Sequence, residues 1–371
     1  VDLLGIANDA LRWKAKTQDS EAEKKRGGFV EMKRWIILLG GMIFLSAPSA
    51  AAENGKISGY AFGDFYFVLN HHLEKAEGRN GFWFRRIYFT YDREIAKNID
   101  VRFRLEMASP GLLQYSNKMM PFVKDAYVRW KTGQYQFFLG ISQTPTWARI
   151  EKVWGYRSVE KTPLDLQKWG SSRDFGLGVK GALNRAGTLR FHAMFGNGSG
   201  YRSEDNKGKK FLVSLAYSPT ENFLLEFYWD FEDLPGAQDI HTLQAFAAFA
   251  AENMRIGMVL ARQAREGHGP IGTDLQLDLL SVFAAGTIRP NLKYFVRMDK
   301  IMDPNPKGAK VTYLPFDPLA EFLFLVGGID YEFAPGIHLM PNVEWVVYEK
   351  RPDGSQPGSD LIPRLTFFYK F

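Results

Sequence analysis

Charged side chains recur at every second position through much of this 371-residue chain, and their neighbours in the alternation are apolar. The stretch VRFRLEM sets Arg102, Arg104 and Glu106 against Val101, Phe103, Leu105 and Met107, and LEFYWDFE sets Glu226, Asp230 and Glu232 against Leu225, Phe227, Trp229 and Phe231. The same counting puts Arg86, Arg129, Lys180, Arg190, Arg297 and Arg364 on polar faces, together with Asp64, Asp125, Asp174, Asp278, Asp299, Asp330 and Glu344. Guanidinium, ammonium and carboxylate groups fixed along a wall do not by themselves make or break bonds. They solvate. Opposed charges across a narrow passage set up a transverse field that orders water and polar solutes, whereas an ion filter needs a run of one sign. Arg85 is a misfit, because alternation aims it to the apolar side; it either lies near an interface, where its long side chain can reach water, or marks a local break in the phase of the alternation.

A second concentration of chemistry lies between Thr144 and Ser172. Trp147, Trp154, Tyr156 and Trp169 stand there beside Arg149, Glu151, Lys152, Arg157, Glu160, Lys161, Asp165 and Lys168. Connections longer than about fifteen residues are usually functional or disordered. Five basic and three acidic residues suit a segment packed within a polar interior, its aromatics gripping the wall. Arg149, Glu151 and Arg157 are the candidates for a constriction. A surface loop against a neighbouring subunit would have the same composition.

Covalent chemistry is poorly supported. The chain has no cysteine, which removes disulfides, thiolate metal sites and thiol nucleophiles together. Its six histidines suggest no metal set: His71 and His72 read as a surface pair in a loop, and neighbouring residues seldom chelate together. His192 falls on a polar face, but no motif supplies the serine and orienting group that a hydrolase would need. GLGVKG, Gly176 to Gly181, matches the dinucleotide pattern by letter. That pattern works only between a strand and a helix N-terminus, and here it sits inside an alternating stretch. No catalytic residue, cofactor or metal is expected.

The elements that must position these residues are strands, since strict alternation puts apolar and polar side chains on opposite faces. Sixteen are expected, at 56–69, 82–95, 98–108, 121–132, 134–143, 173–183, 187–197, 208–218, 222–233, 241–251, 254–264, 273–285, 291–302, 321–333, 337–349 and 359–371. Most have the nine to eleven residues, roughly, that a tilted strand needs to cross a bilayer. Short turn-like links alternate with long polar ones along the chain, the arrangement of a transmembrane barrel with an even strand number. A closed barrel pairs every backbone group and leaves no edge. A soluble β-sandwich is the alternative, and it would have to explain many outward aromatics. LTFFYKF closes the sequence with Leu365, Phe367, Tyr369 and Phe371 on one face, which hydrocarbon would cover.

From Met32 the sequence MKRWIILLGGMIFLSAPSAAAEN has the basic start, apolar run and small-residue end of a secretory signal peptide. Residues 32–52 are the expected leader, with cleavage at Ala50-Ala51-Ala52, and 53–371 the barrel. Residues 1–31 then read as a non-native upstream extension or an early start. Residues 1–52 together hold eight Lys/Arg and six Asp/Glu, so the remainder keeps 39 of 47 basic and 35 of 41 acidic residues. That balance gives no argument for nucleic acid.

KISGYAFGDFYF, FWFRRIYFTY, KDAYVRW, GISQTPTWARIEKVWGYRSVEK and FVRMDKIMDPN, with the terminal Phe371, resemble bacterial outer-membrane porins, most of all the phosphate-selective porin O and P family. The resemblance runs in short pieces from Lys56 to Phe371. It implies a sixteen-stranded barrel, commonly a homotrimer, whose third extracellular loop (144–172) folds inward. It implies passive diffusion of small hydrophilic solutes and ions, with anions such as phosphate as candidate cargo. It also implies contact with outer-membrane lipid and lipopolysaccharide. Phe371 and Tyr369 then look like the signal read by the outer-membrane insertion machinery. Phosphate selection in that family rests on a ladder of inward arginines, and the mixed charges of this sequence depart from it. A non-conducting barrel serving as receptor, adhesin or anchor, and a barrel lipid hydrolase using His192, are the rival expectations.

Overall fold

The computed structural model describes residues 55–109, 111 and 118–371. The expected leader at 32–52, the stretch 1–31 and most of the 109–119 link lie outside the described residues. Sixteen strands form in chain order. The first eight are β1 (Lys56–Phe67), β2 (Asn80–Ala96), β3 (Ile99–Ala108), β4 (Met120–Thr132), β5 (Tyr135–Gln143), β6 (Arg173–Ala182), β7 (Leu189–Gly196) and β8 (Lys210–Tyr217). The others are β9 (Phe223–Glu232), β10 (Ile240–Ala250), β11 (Met254–Arg265), β12 (Leu275–Arg289), β13 (Leu292–Ile301), β14 (Phe322–Ala334), β15 (Ile337–Tyr348) and β16 (Asp360–Lys370). Each pairs antiparallel with its chain neighbours, and β1 closes on β16 from Tyr60↔Lys370 to Tyr66↔Arg364. The result is a closed sixteen-stranded antiparallel barrel. The expected strands are all present, and the largest end displacement is in β12, which runs on to Arg289.

Alternation turns one set of side chains outward. Leu177 is 59% exposed there and Phe227 54%, and Phe65, Phe103, Leu139, Leu260, Val296 and Val343 share that surface. Towards the short links the outward set becomes aromatic, with Trp130, Phe137, Tyr217, Phe223, Tyr294, Phe333 and Phe371 exposed. Phe371 is held in register by a reciprocal backbone pair with Gly59, at 2.9 and 3.0 Å. So much exposed apolar area on every strand exceeds what water-facing proteins carry.

Five register shifts occur among the paired strands, and two of them, away from the short links, turn charged residues inward. In β2 the register passes from Phe62↔Arg86 to Gly63↔Phe84, so Arg85 is the extra residue. Arg85 is therefore buried inside the barrel (3% exposed), and its misfit in the alternation marks a local break in phase, not an interfacial position. In β4 the step from Arg104↔Asp125 to Leu105↔Val123 leaves Lys124 as the extra residue, so Lys124 and Asp125 both turn inward. A bulge sets two residues opposite one and bends the strand, which is how adjacent side chains can come to share a face.

The core lies inside the barrel, and it is apolar on one side. Phe246, Val259, Leu277, Phe283, Phe295, Phe322 and Phe324, all from β10 to β14, are buried inward against the segment 144–172. This inverts part of the sequence expectation. In β12 the buried inward residues are Leu277 and Leu279, while Asp278 faces outward and pairs at 2.7 Å with exposed Arg262. The rule that a polar face is a lumenal face fails wherever protein, not water, fills the lumen.

Candidate functional site

The segment 144–172 binds inward groups from strands on opposite walls, which places it within the barrel. It leaves and rejoins the wall at one point, where Thr144 N–H donates to the Ser172 carbonyl at 3.2 Å. Helix α1 (Ala148–Trp154) ends at Gly155, whose φ of 72° closes the helix with a bond to the Glu151 carbonyl. This is the left-handed position that glycine fills at least cost. A second short helix, α2 (Pro163–Leu166), starts on proline, whose fixed φ suits a first helical turn.

One face of this loop is apolar and fixed. Trp154 meets Phe283 edge-on at 5.4 Å, and Tyr156 packs on Phe295 at 4.3 Å. Polar anchors reinforce the packing: Gln244 donates to the Thr146 carbonyl at 2.9 Å and Gln263 to the Trp169 carbonyl at 2.7 Å. Three arginines from three strands hold the tip. Arg85 and Arg364 donate to the Val159 carbonyl at 2.5 and 3.0 Å, and Arg297 donates to the Lys161 carbonyl at 2.5 Å. Glu160 beside them receives Arg85 at 3.2 Å and the Tyr313 hydroxyl at 2.7 Å. Arg297 and Asp299, paired at 2.9 Å, are each 1% exposed. The structure puts them behind the loop, away from the open passage.

The other face is charged and looks across the lumen. Arg149 bonds Glu226 at 2.7 Å and Ser214 at 3.1 Å. Arg157 lies 3.5 Å from Glu151 and 3.8 Å from Asp165, and Lys161 lies 3.6 Å from Asp165. On the facing wall Glu106 bridges Arg86 at 2.5 Å and Lys124 at 3.0 Å. Asp125 bridges Arg104, at 3.4 Å, and Arg173. Nearer the short links, Arg102 pairs with Asp92 and Arg129 with Asp100, at 2.7 and 2.8 Å, and Lys180 sits over the Phe138 ring. Of the sequence candidates, Arg86 and Arg157 line the cavity between loop and wall, Glu151 pairs with Arg157, Arg104 shares Asp125 with the lining residue Arg173, and Arg149 reaches β8 and β9 instead.

Between the loop and that wall lies a cavity of ≈ 550 Å³. Ten basic residues line it, Arg86, Lys124, Arg157, Lys161, Lys168, Arg173, Arg202, Lys210, Lys307 and Lys310, against four acidic ones, Glu106, Asp165, Asp174 and Glu232. Among the lining residues cations exceed carboxylates by six, and contacts of Arg173 with Asp125, Lys210 with Asp230 and Arg157 with Glu151 offset part of that excess. Burial pulls Lys161 down to about 8, against the pull of Asp165. Burial also brings Lys307 to about 8, helped by nearby Arg265. Alternation could not have found most of this ring. Lys124 comes from a bulge, Arg173 from the first position of β6, and Lys307 and Lys310 from the 302–321 link.

Other sequence candidates resolve differently. GLGVKG lies wholly within β6, with no helix after it. His192 is buried beside Ser214 in register, but Ser214 receives Arg149, and no hydrogen bond of the His192 ring occurs among the described residues. His71 and His72 are not a surface pair. Their side chains are 0% and 2% exposed, stacked at 4.6 Å against Asp360.

No profile of a known protein family matches the sequence, and no curated protein does. Solved structures do. An anion-selective porin from Comamonas acidovorans superposes with a TM-score of 0.61, at 9% identity over 86% of this chain and 99% of that one. The chain has the porin fold. OmpF of Salmonella typhi, in complex with daunomycin, gives 0.62 at 13% identity over 86% of this chain and all of that one. A trimer form of OmpT, an outer membrane protein of Vibrio cholerae, gives 0.56 at 12% identity over 87% and 100%. The match covers the porin-fold chains along essentially their whole length, so the barrel here is a complete one.

Proposed function

We propose that this chain is an outer-membrane channel through which small hydrophilic solutes diffuse passively, with a preference for anions. The observation that carries the proposal is a cation-rich cavity enclosed by a barrel whose outer surface is apolar on every strand. Hydrocarbon suits such an exterior, because a closed barrel leaves no backbone group unpaired within it. The cationic excess around the passage lowers the energy of an anion there and raises that of a cation, and inorganic phosphate fits the class.

The accompanying parts follow from the same reading. Residues 32–52 act as a cleaved export signal and 53–371 as the barrel. Phe371 and Tyr369 serve assembly by the outer-membrane insertion machinery, lipid and lipopolysaccharide surround the outer face, and three copies associate. Arg86, Arg104, Arg149, Glu151 and Arg157 form the constriction, with Arg102, Arg129 and Lys180 leading from it. Arg297 and Asp299 act by holding the inward loop. The channel works without catalysis, cofactor or nucleic acid.

The test is the purified protein in planar bilayers. Stepwise conductance is expected, with a reversal potential in a KCl gradient shifted towards the chloride value and inorganic phosphate slowing chloride flux. Folded protein that inserts and gives no steps would overturn the reading in favour of a non-conducting barrel. A cation-directed reversal potential would overturn the anion preference alone.

A further inference from the structure

The link between β1 and β2 is tied to the start of β16 by a compact group the channel does not use. A backbone bridge joins Asn70 and Leu361, with Leu69 N–H donating to the Leu361 carbonyl at 2.9 Å and Leu361 N–H to the Asn70 carbonyl at 3.0 Å. The next residue on one side is His71, then His72, and the residue before Leu361 is Asp360. Two adjacent histidines and a carboxylate 288 residues away are therefore locked into one register by the backbone.

Their side chains converge. His72 Nδ1 lies 2.9 Å from Asp360 Oδ1, and His71 Nδ1 lies 3.7 Å from the same oxygen. One ligand atom from each of the three falls within 4.8 Å of the others. Ligands at about 2.0–2.1 Å from a tetrahedral zinc ion sit about 3.3 Å from each other, a value the two histidine-to-carboxylate separations straddle. The carboxylate is already oriented, as metal-bound carboxylates commonly are: the Tyr348 hydroxyl donates to Oδ2 at 2.7 Å and the His72 amide to Oδ1 at 2.6 Å. Tyr348 also stands edge-on to the His72 ring at 5.0 Å.

The Leu73 amide donates to His71 Nδ1 at 3.0 Å, so that nitrogen carries the lone pair a metal ion needs. Two imidazoles and one carboxylate also form a donor set that favours zinc, nickel or copper over calcium or magnesium, which take oxygen.

We propose that His71, His72 and Asp360 form a binding site for a borderline divalent cation such as zinc, with Tyr348 as the group that positions the carboxylate. Binding exchanges the Leu73 to His71 and His72 to Asp360 hydrogen bonds for coordinate bonds. Three protein ligands leave a fourth position for water. The ion then staples the β1–β2 link to the β15–β16 end of the barrel.

The test uses the full folded protein without a polyhistidine tag, stripped with a chelator and titrated with cobalt(II), then zinc. One equivalent of cobalt is expected, with a visible absorption band of low coordination number that zinc abolishes. His72→Ala and Asp360→Asn should each abolish the band. Tyr348→Phe should weaken binding by about 10-fold, within the range for groups that orient a ligand. His241→Ala, on a distant strand, should leave it intact. Wild-type protein that takes up no stoichiometric metal overturns the site without any variant. So does binding that persists in a His71→Ala, His72→Ala double variant. Because wild-type uptake decides the matter, neither result depends on whether the barrel conducts.

Discussion

At the scale of single residues, buried charge does two jobs here, and one side chain shows the first. Arg85 reaches the loop through the Val159 carbonyl and Glu160, with 3% of its surface exposed. Replacing it with alanine strands a buried carboxylate and a buried carbonyl. Breaking a buried pair from one side costs about 3–5 kcal/mol, with Arg364 and Tyr313 left to absorb part of it. Arg85→Ala should lower the unfolding midpoint in guanidinium and add flicker to single-channel traces. An unchanged midpoint would mean the loop tip is held by its aromatics alone. The second job is titration. Lys161 and Lys307 lose their charge as pH rises through about 8, in loop positions that line the cavity. A lysine is cationic below its pKa and neutral above it, so the anion preference should weaken between pH 7 and 9. Reversal potentials at the two pH values measure this, and Lys161→Gln should remove part of the change. Arg85 stood out in the sequence only as a break in the alternation and Lys307 not at all, since what distinguishes them is a bulge and a chain segment folded over the lumen.

At the scale of elements, strands were legible and loops were not, for a physical reason. A strand's period of two is written locally, so alternation located all sixteen, and the outward set wherever water fills the lumen. What fills the lumen is written nonlocally. Leu277 and Leu279 point inward because Trp154 and its neighbours lie there, and Asp278 is consequently turned out. The bulge at Arg85 had one local trace, the glycine opposite it. A Cβ on Gly63 would fall 2.0 Å from the Trp83 carbonyl oxygen and 2.9 Å from the Phe84 Cα. Gly63→Val should therefore force the register to slip or strain, at a cost of about 1–3 kcal/mol or more. The check is loss of the fast-migrating band of unboiled protein on a denaturing gel. Trp154→Ala acts on the other element. It removes a fully buried indole from the loop's apolar face and should cost about 3–5 kcal/mol. The loosened loop should give broader conductance levels while the barrel still forms.

At the scale of the whole molecule, the near balance of acidic and basic residues in the barrel is misleading, because location matters more than the sum. Much of the charge is spent in pairs along the wall, such as Arg102 with Asp92 and Arg129 with Asp100. The surplus gathers around the cavity beside the inward loop, from that loop, the bulge at Lys124 and the 302–321 link together. A selectivity built from separated charges should depend on ionic strength, since the screening length falls from about 10 Å at 0.1 M salt to about 3 Å at 1 M. Cavity-lining cations spread over several elements should then cooperate at low salt and act only on contact at high salt. The triple variant Lys168→Gln, Lys307→Gln, Lys310→Gln takes three of the ten cations and leaves the four acids, halving the excess. Its anion-to-cation permeability ratio should fall well below that of the unaltered protein in 0.1 M KCl and differ little from it in 1 M. A salt-independent difference would mean that anions are chosen by direct ligation at one lysine, and no difference at either salt that the passage is set by Arg86, Arg104 and Arg157 alone.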